Sequence, residues 1–354
     1  MANDRDNQGD GVSRRHALEC MIWAGTGVLW TISGGLSRSL SLLGLAEAAP
    51  AIAQKTPTIP VIVKDTTSFY WQTVLAGARK AGQDFGVNVV ELGAQSESDT
   101  TGQISILENA VSSNPTAVVI APTNFAGLGR PVDEAAKKTK IIGIDSAADS
   151  KALTSFLATD NRLAGRIAAD ILAERIQKTY ADAEGDVALI TSLPGIAALD
   201  QRAKGFKEQL ATKYGALNIV AEKFGDGQAP TSRNIMADII AAYPELRGVF
   251  ASSPIMAQGA AQAVTENKTN KTGDKINLVG FDSDEQLVKL LQDGTIAALV
   301  VQDPFRMGYD GVKTALAASK GEQVPANIDT GAYLITKANM NSARSQELLH
   351  PKIK

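Results

Sequence analysis

Histidine and cysteine are almost missing from this chain. Its 354 residues include two histidines, His16 and His350, and a single cysteine, Cys20. None of the three lies in the body of the chain, which therefore offers neither an imidazole nor a thiol. This absence excludes a histidine-based catalytic triad, a histidine-rich metal site, a cysteine nucleophile and structural disulfides from the body of the protein.

Glycine is not arranged for nucleotide binding either. A dinucleotide fingerprint places closely spaced glycines between the first strand and the first helix, but the turn Asp65–Trp71 contains none. The segment 127–132 begins like that fingerprint, yet it has a valine where the third glycine belongs, and no Walker A or G-x-S-x-G sequence occurs. The sequence therefore predicts no nucleotide or other cofactor.

Oxygen ligands for a metal ion are also sparse. Asp282 and Asp284 stand close together, but the sequence around them supplies no further cluster of oxygen ligands, as a hard cation would require. A simpler interpretation is that Ser283 or Asp284 caps the helix that follows. No metal is expected.

Length, composition and charge are those of a soluble globular protein. Hydrophobic residues make up 44% and charged residues 21% of the chain, and the net charge is −3. Such a length accommodates two domains, each with its own core. A negative net charge argues against a nucleic-acid partner.

The first 53 residues differ from the rest. Arg14 and Arg15 precede the apolar stretch Met21–Trp30, and the small-residue run Ala46–Ala53 follows. This pattern resembles a twin-arginine export signal that is cleaved near residues 48–53, which predicts a periplasmic protein. An uncleaved membrane anchor is the alternative, although glycines and an arginine at 34–38 interrupt the apolar stretch before it reaches about 20 residues.

From Thr58 onward, strand and helix patterns alternate in two successive series, the second beginning near Asp160. Continuous apolar strands separated by amphipathic helices indicate parallel sheets covered on both faces. The predicted fold class is α/β, with two Rossmann-like lobes joined by a hinge of several strands. No low-complexity linker separates the series, so the crossings are expected to be short and multiple. The last predicted strand is Thr330–Thr336.

Two apolar strands end on an aspartate. One runs from Lys140 to Asp145 and the other from Ile276 to Asp282. Ligands of open α/β sheets bind beyond the carboxyl ends of the strands, so two carboxylates in such positions predict one polar ligand held between two sheets. Each aspartate could instead cap the element that follows it.

Other residues could complete this site. The three aromatics Phe69–Trp71 at the first strand-to-helix turn cannot all face the core, and a ring turned into the crevice could lie against a sugar. Arg202, early in a helix, could reach the crevice as a fork of donors, or lie on a solvated face. The amide of Gln302 could both donate to and accept from a hydroxyl ligand, or could simply belong to a turn.

Taken in order, these segments resemble the ribose/galactose-type periplasmic sugar-binding proteins of ABC importers, with the type I periplasmic-binding fold. The likeness covers residues 58–336. It divides the chain into the export segment 1–53, an N-terminal lobe of 56–159 plus 304–329, and a C-terminal lobe of 160–303 plus 330–354. The matching segments are Phe69–Trp71, Ile120–Asn124, Ile144–Asp145, Ala158–Asn161, Arg202–Phe206, Val279–Asp282 and Val301–Gln302.

The resemblance implies a sugar clamped between the lobes by stacked aromatics and by charged or amide side chains. Two departures shorten the polar reach and leave the sugar open: Ser253 stands where many relatives have asparagine, and Ser146 where many have arginine. A different epimer, a polyol or a bulkier ligand would suit these changes. The ligand-binding residues expected from the resemblance are Ser68, Tyr70, Trp71, Asp145, Thr159, Arg202, Ser253, Asp282 and Gln302.

The predicted function is therefore that of an exported, monomeric solute-binding protein without catalytic activity. It would bind a monosaccharide or polyol by hinge closure and deliver it to a membrane ABC permease. An exported sugar-modifying enzyme or oxidoreductase is one alternative, although the missing glycine turn and histidines oppose it. A sugar sensor that serves a chemoreceptor or kinase is another. The effector domain of a repressor would need a helix-turn-helix where the export segment lies.

Overall fold

The computed structural model describes residues 56–268 and 275–353. The predicted export segment 1–53, with its cleavage region, lies outside these ranges. In the part of the chain that the structure describes, no helix combines the length and the apolar character needed to cross a bilayer.

The described elements alternate as the sequence predicts. In chain order they are β1 Thr58–Val63, α1 Phe69–Phe85, β2 Asn88–Gly93, α2 Thr100–Ser112, β3 Val118–Ile120, α3 Phe125–Ala136, β4 Ile141–Ile144, β5 Ser155–Ala158, α4 Asn161–Tyr180, β6 Gly185–Thr191, α5 Ala197–Lys213, β7 Leu217–Phe224, α6 Ala229–Ala242, β8 Leu246–Ala251, α7 Pro254–Lys268, β9 Asn277–Phe281, α8 Glu285–Asp293, β10 Ala298–Val301, α9 Pro304–Ser319, β11 Asn327–Asp329, β12 Tyr333–Ile335 and α10 Ala343–Leu349.

The first sheet has the strand order β11-β5-β4-β3-β1-β2, and all of its neighbouring strands are parallel. Successive side chains of a strand face opposite sides of the sheet. Accordingly, Val61 and Val63 of β1 pack with α1 and α9, whereas Ile62 packs with α2 and α3. Helices therefore cover both faces, as continuous apolar strands require.

The second sheet repeats this design. Its order is β12-β10-β9-β8-β6-β7, which is the order of the first sheet with each of β1 to β5 replaced by the strand five places later. Helices α4 and α5 cover one face, and α6, α7, α8 and α10 cover the other. The edge strand β12 is antiparallel to β10. The predicted α/β class with two sheets of mostly parallel strands is confirmed.

The chain passes between the sheets three times, at residues 159–160, 302–303 and 330–332. The third passage corrects one prediction. Of the expected strand Thr330–Thr336 only Tyr333–Ile335 is a strand, because the chain passes from the first sheet to the second at 330–332, where Gly331 has φ +87. The lobe boundaries stay a prediction. Strands β5 and β11 and helix α10 were not predicted at all.

Close helix packing holds the second sheet's covering layer together. Gly165 of α4 and Gly205 of α5 face each other, so a Cβ at position 165 would lie 2.1 Å from the Arg202 carbonyl oxygen. A Cβ at position 205 would lie 2.0 Å from the Arg162 carbonyl oxygen. Only glycine allows the two backbones to approach this closely, and the approach fixes the position of α5.

We expect Gly165→Ala to destabilise the protein by about 1–3 kcal/mol, because the added methyl must push the backbone of α5 away. Urea denaturation would measure the loss. Gly215→Ala is the matched control, since no heavy atom lies within 4 Å of a Cβ there, and its effect should stay within about 0.5 kcal/mol. Equal stability of the two variants would contradict the packing described.

Candidate functional site

A cavity of about 460 Å³ is lined by residues from both sheets and their helices. The lining comes mainly from segments that follow the carboxyl ends of strands, where the sequence predicts a ligand. Thr159 does not line the cavity; its hydroxyl donates to the Gly331 carbonyl at 2.9 Å and so joins two passages between the sheets. The other expected residues all line it: Ser68, Tyr70, Trp71, Asp145, Arg202, Ser253, Asp282 and Gln302.

Asp145 and Asp282 occupy equivalent places in the two sheets. They follow β4 and β9 directly and have φ values of +62 and +60. Their backbone N–H groups donate to Leu157 at 2.9 Å and to Val300 at 2.8 Å in the neighbouring strand. A left-handed backbone is uncommon for residues other than glycine and often marks a functional position. Neither aspartate caps a helix; α8 is capped by Asp284, as predicted.

Asp145 is buried in an ion pair. Its Oδ2 accepts from the Lys64 ammonium at 2.7 Å, and its Oδ1 accepts from the Tyr70 hydroxyl at 3.0 Å. Burial alone would raise the pKa of the Asp145 carboxyl, but the charges of Lys64 and Arg202 outweigh burial and hold this pKa below its ordinary value. Asp145 is therefore a carboxylate in the cavity wall at neutral pH.

Asp282 has a different environment. Its Oδ1 accepts from the Gln302 backbone N–H at 3.1 Å, and its Oδ2 accepts from the Gln302 side-chain amide at 3.0 Å. Burial raises the pKa of Asp282 to about 6, since the Arg202 charge and the two Gln302 bonds offset the loss of water only in part. The Asp282 carboxyl therefore gains its proton at a higher pH than the Asp145 carboxyl does.

Arg202 is buried and does not lie on a solvated face. Its Nε donates to Asn161 Oδ1 at 2.8 Å, and its Nη1 donates to the Ser252 carbonyl at 2.9 Å. Its guanidinium carbon lies 3.6 Å from the centroid of the Phe281 ring. Among the described residues no acceptor is bonded to Nη2, so those two N–H groups are left for a guest.

The three aromatics occupy the first turn of α1. Phe69 and Tyr70 are half-buried and line the cavity. Trp71 is 1% exposed. It packs in the core between the first sheet and helices α1 and α9, and it also forms part of the cavity wall. The centroids of the Trp71 and Tyr70 rings lie 4.8 Å apart, and the two ring planes are nearly perpendicular, at 86°. Trp71 thus serves both the core packing and the cavity that the sequence left as alternatives.

Three buried polar atoms at this cavity have no protein partner. They are Ser68 Oγ, Ser253 Oγ and Gln302 Oε1, whereas elsewhere in the described residues only Arg175 Nε is in the same condition. A buried polar atom without a partner costs about 1–3 kcal/mol. Their concentration at one place therefore indicates a site that a hydrogen-bonding guest completes.

Sequence reasoning missed several cavity residues. Lys64 follows the first apolar strand directly, so the rule that singled out the aspartates could also have found it. Phe69 lies beside residues that were expected. Glu97, in the loop after β2, carries no local signal, since its role depends on contacts with elements far away in the chain. Asn161 does not line the cavity but orients Arg202; it belongs to the segment Ala158–Asn161 that carries the resemblance, although no role was expected for it.

Comparisons with known proteins agree with this arrangement. A family model for the periplasmic binding protein domain matches residues 59–323. The ribose import binding protein RbsB of Haemophilus influenzae is 31% identical over 304 residues, covering 84% of this chain and 97% of that protein. The chain therefore belongs to the periplasmic binding protein family.

Solved structures point in the same direction. A carbohydrate transporter solute-binding protein from Agrobacterium radiobacter, in complex with D-arabinose, is 61% identical with a TM-score of 0.81, and the match covers 84% of this chain and 100% of that chain. An ABC transporter solute-binding protein from Agrobacterium vitis, bound with alpha-D-tagatopyranose, is 28% identical with a TM-score of 0.77, covering 83% and 99%. The predicted class, the sugar-binding periplasmic proteins of ABC transporters, is confirmed, and the alternatives are not favoured.

We expect Asp282→Asn to stabilise the sugar-free protein at pH 7.5. The folded-state pKa of Asp282 is about 6 against an ordinary 3.8, so its favourable contribution is complete below pH 3.8 and is lost as pH rises through 6. An asparagine side chain does not ionise, so the variant does not lose stability as pH rises. The Gln302 amide can also turn over, so that its unpartnered oxygen accepts from the new asparagine amide. The gain should be about 1–3 kcal/mol at pH 7.5 and should shrink toward pH 4.

Asp145→Asn is the control with the opposite sign. The pKa of Asp145 is lowered, so its contribution is present above its ordinary pKa and is lost as pH falls. This variant should be less stable at pH 7.5, also because it leaves Lys64 without its charged partner. Urea denaturation at several pH values would measure the free energy of unfolding of both variants. A change of the same sign in this free energy for both variants at pH 7.5 would contradict the opposite pKa shifts assigned to the two carboxyls.

Proposed function

We propose that this protein captures a neutral monosaccharide in the cavity and releases it, chemically unchanged, to an ABC permease in the membrane. The ligand-binding residues would be Ser68, Tyr70, Trp71, Asp145, Arg202, Ser253, Asp282 and Gln302. Thr159 would act indirectly, through the passage between the sheets that it stabilises. We further propose an exported, periplasmic monomer whose signal is removed near residues 48–53.

The unpartnered atoms of Ser68, Ser253 and Gln302 carry this proposal. A sugar hydroxyl is both a donor and an acceptor, so it can satisfy a serine hydroxyl as well as an amide oxygen. The same cavity is lined by the Asp145 and Asp282 carboxyls, which accept, and by Arg202, whose Nη2 group donates. A polyhydroxylated guest fits this mixed set, whereas an apolar guest would leave every one of these groups unsatisfied.

The charges select against anionic guests. Lys64 is already bonded to Asp145 and Ser146. The positive charge of Arg202 interacts with the carboxyls of both Asp145 and Asp282. A guest with its own carboxylate or phosphate would add negative charge beside the Asp145 and Asp282 carboxyls, which already oppose the charge of Arg202. We therefore favour an uncharged sugar over a sugar acid or sugar phosphate.

Among neutral sugars we favour an aldopentose. The Agrobacterium radiobacter protein that is 61% identical was solved with D-arabinose, and the Haemophilus influenzae relative is a ribose import binding protein. Serine at position 253 also limits the polar reach on that wall. D-Arabinose is therefore the first ligand to test, ahead of ribose and the hexoses.

Closure would follow from two lobes, 56–159 plus 304–329 and 160–303 plus 330–354. Asp145 and the aromatics belong to the first lobe, and Arg202 and Asp282 to the second. A guest bonded to both gains its full set of contacts only when the lobes approach, so it shifts the population toward the closed form. The permease would recognise that form.

Binding of D-arabinose by the full chain tests the proposal. Titration calorimetry should give saturable binding, and the thermal midpoint should rise because the sugar binds the folded state alone. Arg202→Ala and Asp145→Asn should each weaken binding about 10- to 150-fold, since each removes a charged hydrogen bond of about 1.5–3 kcal/mol.

Two variants outside the cavity serve as controls. Arg233→Ala breaks an exposed pair with Glu266, and Asp133→Asn changes an exposed residue of α3. Both should bind D-arabinose like the parent protein. If the parent binds no pentose, hexose or polyol, or if the cavity variants bind as tightly as the controls, the proposed site is wrong.

A further inference from the structure

Glu97 was not among the expected ligand residues, yet the fold brings it to the cavity. It lies in the loop between β2 and α2, where the Asp99 N–H donates to the Ser96 carbonyl at 3.0 Å and closes a turn around it. Gly93 lets this loop approach the turn after β1, since a Cβ at position 93 would lie 2.7 Å from Thr66 Cγ2. The Glu97 side chain consequently lines the cavity beside Trp71.

The Glu97 carboxylate holds the Trp71 indole. Trp71 Nε1 donates to Glu97 Oε1 at 2.8 Å. Trp71 is 1% exposed, and a buried indole N–H requires such an acceptor. On its other sides the ring meets Tyr70 and lies 5.3 Å from the Lys64 ammonium. The carboxylate therefore supplies the directional contact that determines how the ring faces the cavity.

The second oxygen of Glu97 remains for a guest. Within the described residues, Trp71 is the one hydrogen-bond donor to this side chain, and Lys64 donates instead to Asp145 and Ser146. Burial raises the pKa of Glu97, and the Lys64 charge and the indole bond offset this rise only in part. A partly desolvated carboxylate with a free oxygen, beside an aromatic ring, is well placed to accept a sugar hydroxyl.

We propose that Glu97 orients the Trp71 ring in the cavity and accepts a hydroxyl of the sugar with its second carboxylate oxygen. The proposal rests on the proposed function for its second half. Glu97 thereby becomes a positioning residue for the aromatic wall and a third acidic contact besides Asp145 and Asp282. It would discriminate among sugars by the hydroxyl that projects toward the loop after β2.

Trp71 emission provides a readout that a merely structural role would not move. The full chain contains three tryptophans, so Trp23→Phe and Trp30→Phe in the same chain leave Trp71 as the sole reporter. In that parent we compare Glu97→Gln, Glu97→Leu and the control Glu108→Leu, an exposed residue of α2. Circular dichroism melting verifies that each variant folds, and D-arabinose is the probe.

Glu97→Gln should keep the sugar-free emission of the parent, because its amide oxygen still accepts from the indole. It should weaken D-arabinose binding about tenfold, since a charged hydrogen bond becomes a neutral one. Glu97→Leu should shift the sugar-free emission and weaken binding further, while Glu108→Leu should change neither.

Unchanged sugar-free emission in Glu97→Leu would overturn the positioning role, whatever the affinity of that variant for D-arabinose. Unchanged affinity in both Glu97 variants, with a parent that binds, would overturn the direct contact and leave the proposed function standing. A parent that binds no pentose, hexose or polyol would contradict the proposed function and, with it, the contact. The sugar-free spectra decide the positioning role in every case.

Discussion

Burial of charge is the constraint on which the site depends. A carboxylate removed from water is costly unless it is bonded and paired, and this cavity contains two at the ends of apolar strands. Asp145 meets the requirement with Lys64 and Tyr70, and Arg202 is held by Asn161 and the Ser252 carbonyl. These partners come from separate elements. The helices and strands must therefore assemble correctly before the charges become tolerable, and this links the site to the whole fold.

The internal repeat explains why a carboxylate comes from each half. Both sheets use the same strand order, and β4 and β9 take the same place in it. In both sheets the residue directly after this strand, Asp145 or Asp282, has a left-handed backbone. The two aspartates thus begin from equivalent geometry. They differ through their neighbours, because Lys64 has no counterpart near Asp282, which is bonded to the amide of Gln302 instead. One carboxyl consequently has a lowered pKa and the other a raised one.

Features that depend on a short stretch of sequence could be predicted. Apolar strands ending in aspartate, and aromatics at a helix start, need no knowledge of distant contacts, and these residues do meet in one cavity. Elements that depend on tertiary pairing are not specified by such local patterns. Strands β5, β11 and β12 are three or four residues long and owe their existence to neighbouring strands. Gly331 was the available signal that the strand expected at Thr330–Thr336 would not include its first residues.

The cavity wall is less favourable than a packed interior would be. Three unpartnered polar atoms and a carboxyl with a raised pKa all lower the stability of the sugar-free protein. Each of these groups gains a partner if a hydroxyl-rich guest enters. Part of the binding free energy then arises from relieving unfavourable burial that the fold already contains. Because both halves of the chain contribute such groups, the relief is complete only when one guest contacts both, which would couple recognition to the proposed closure.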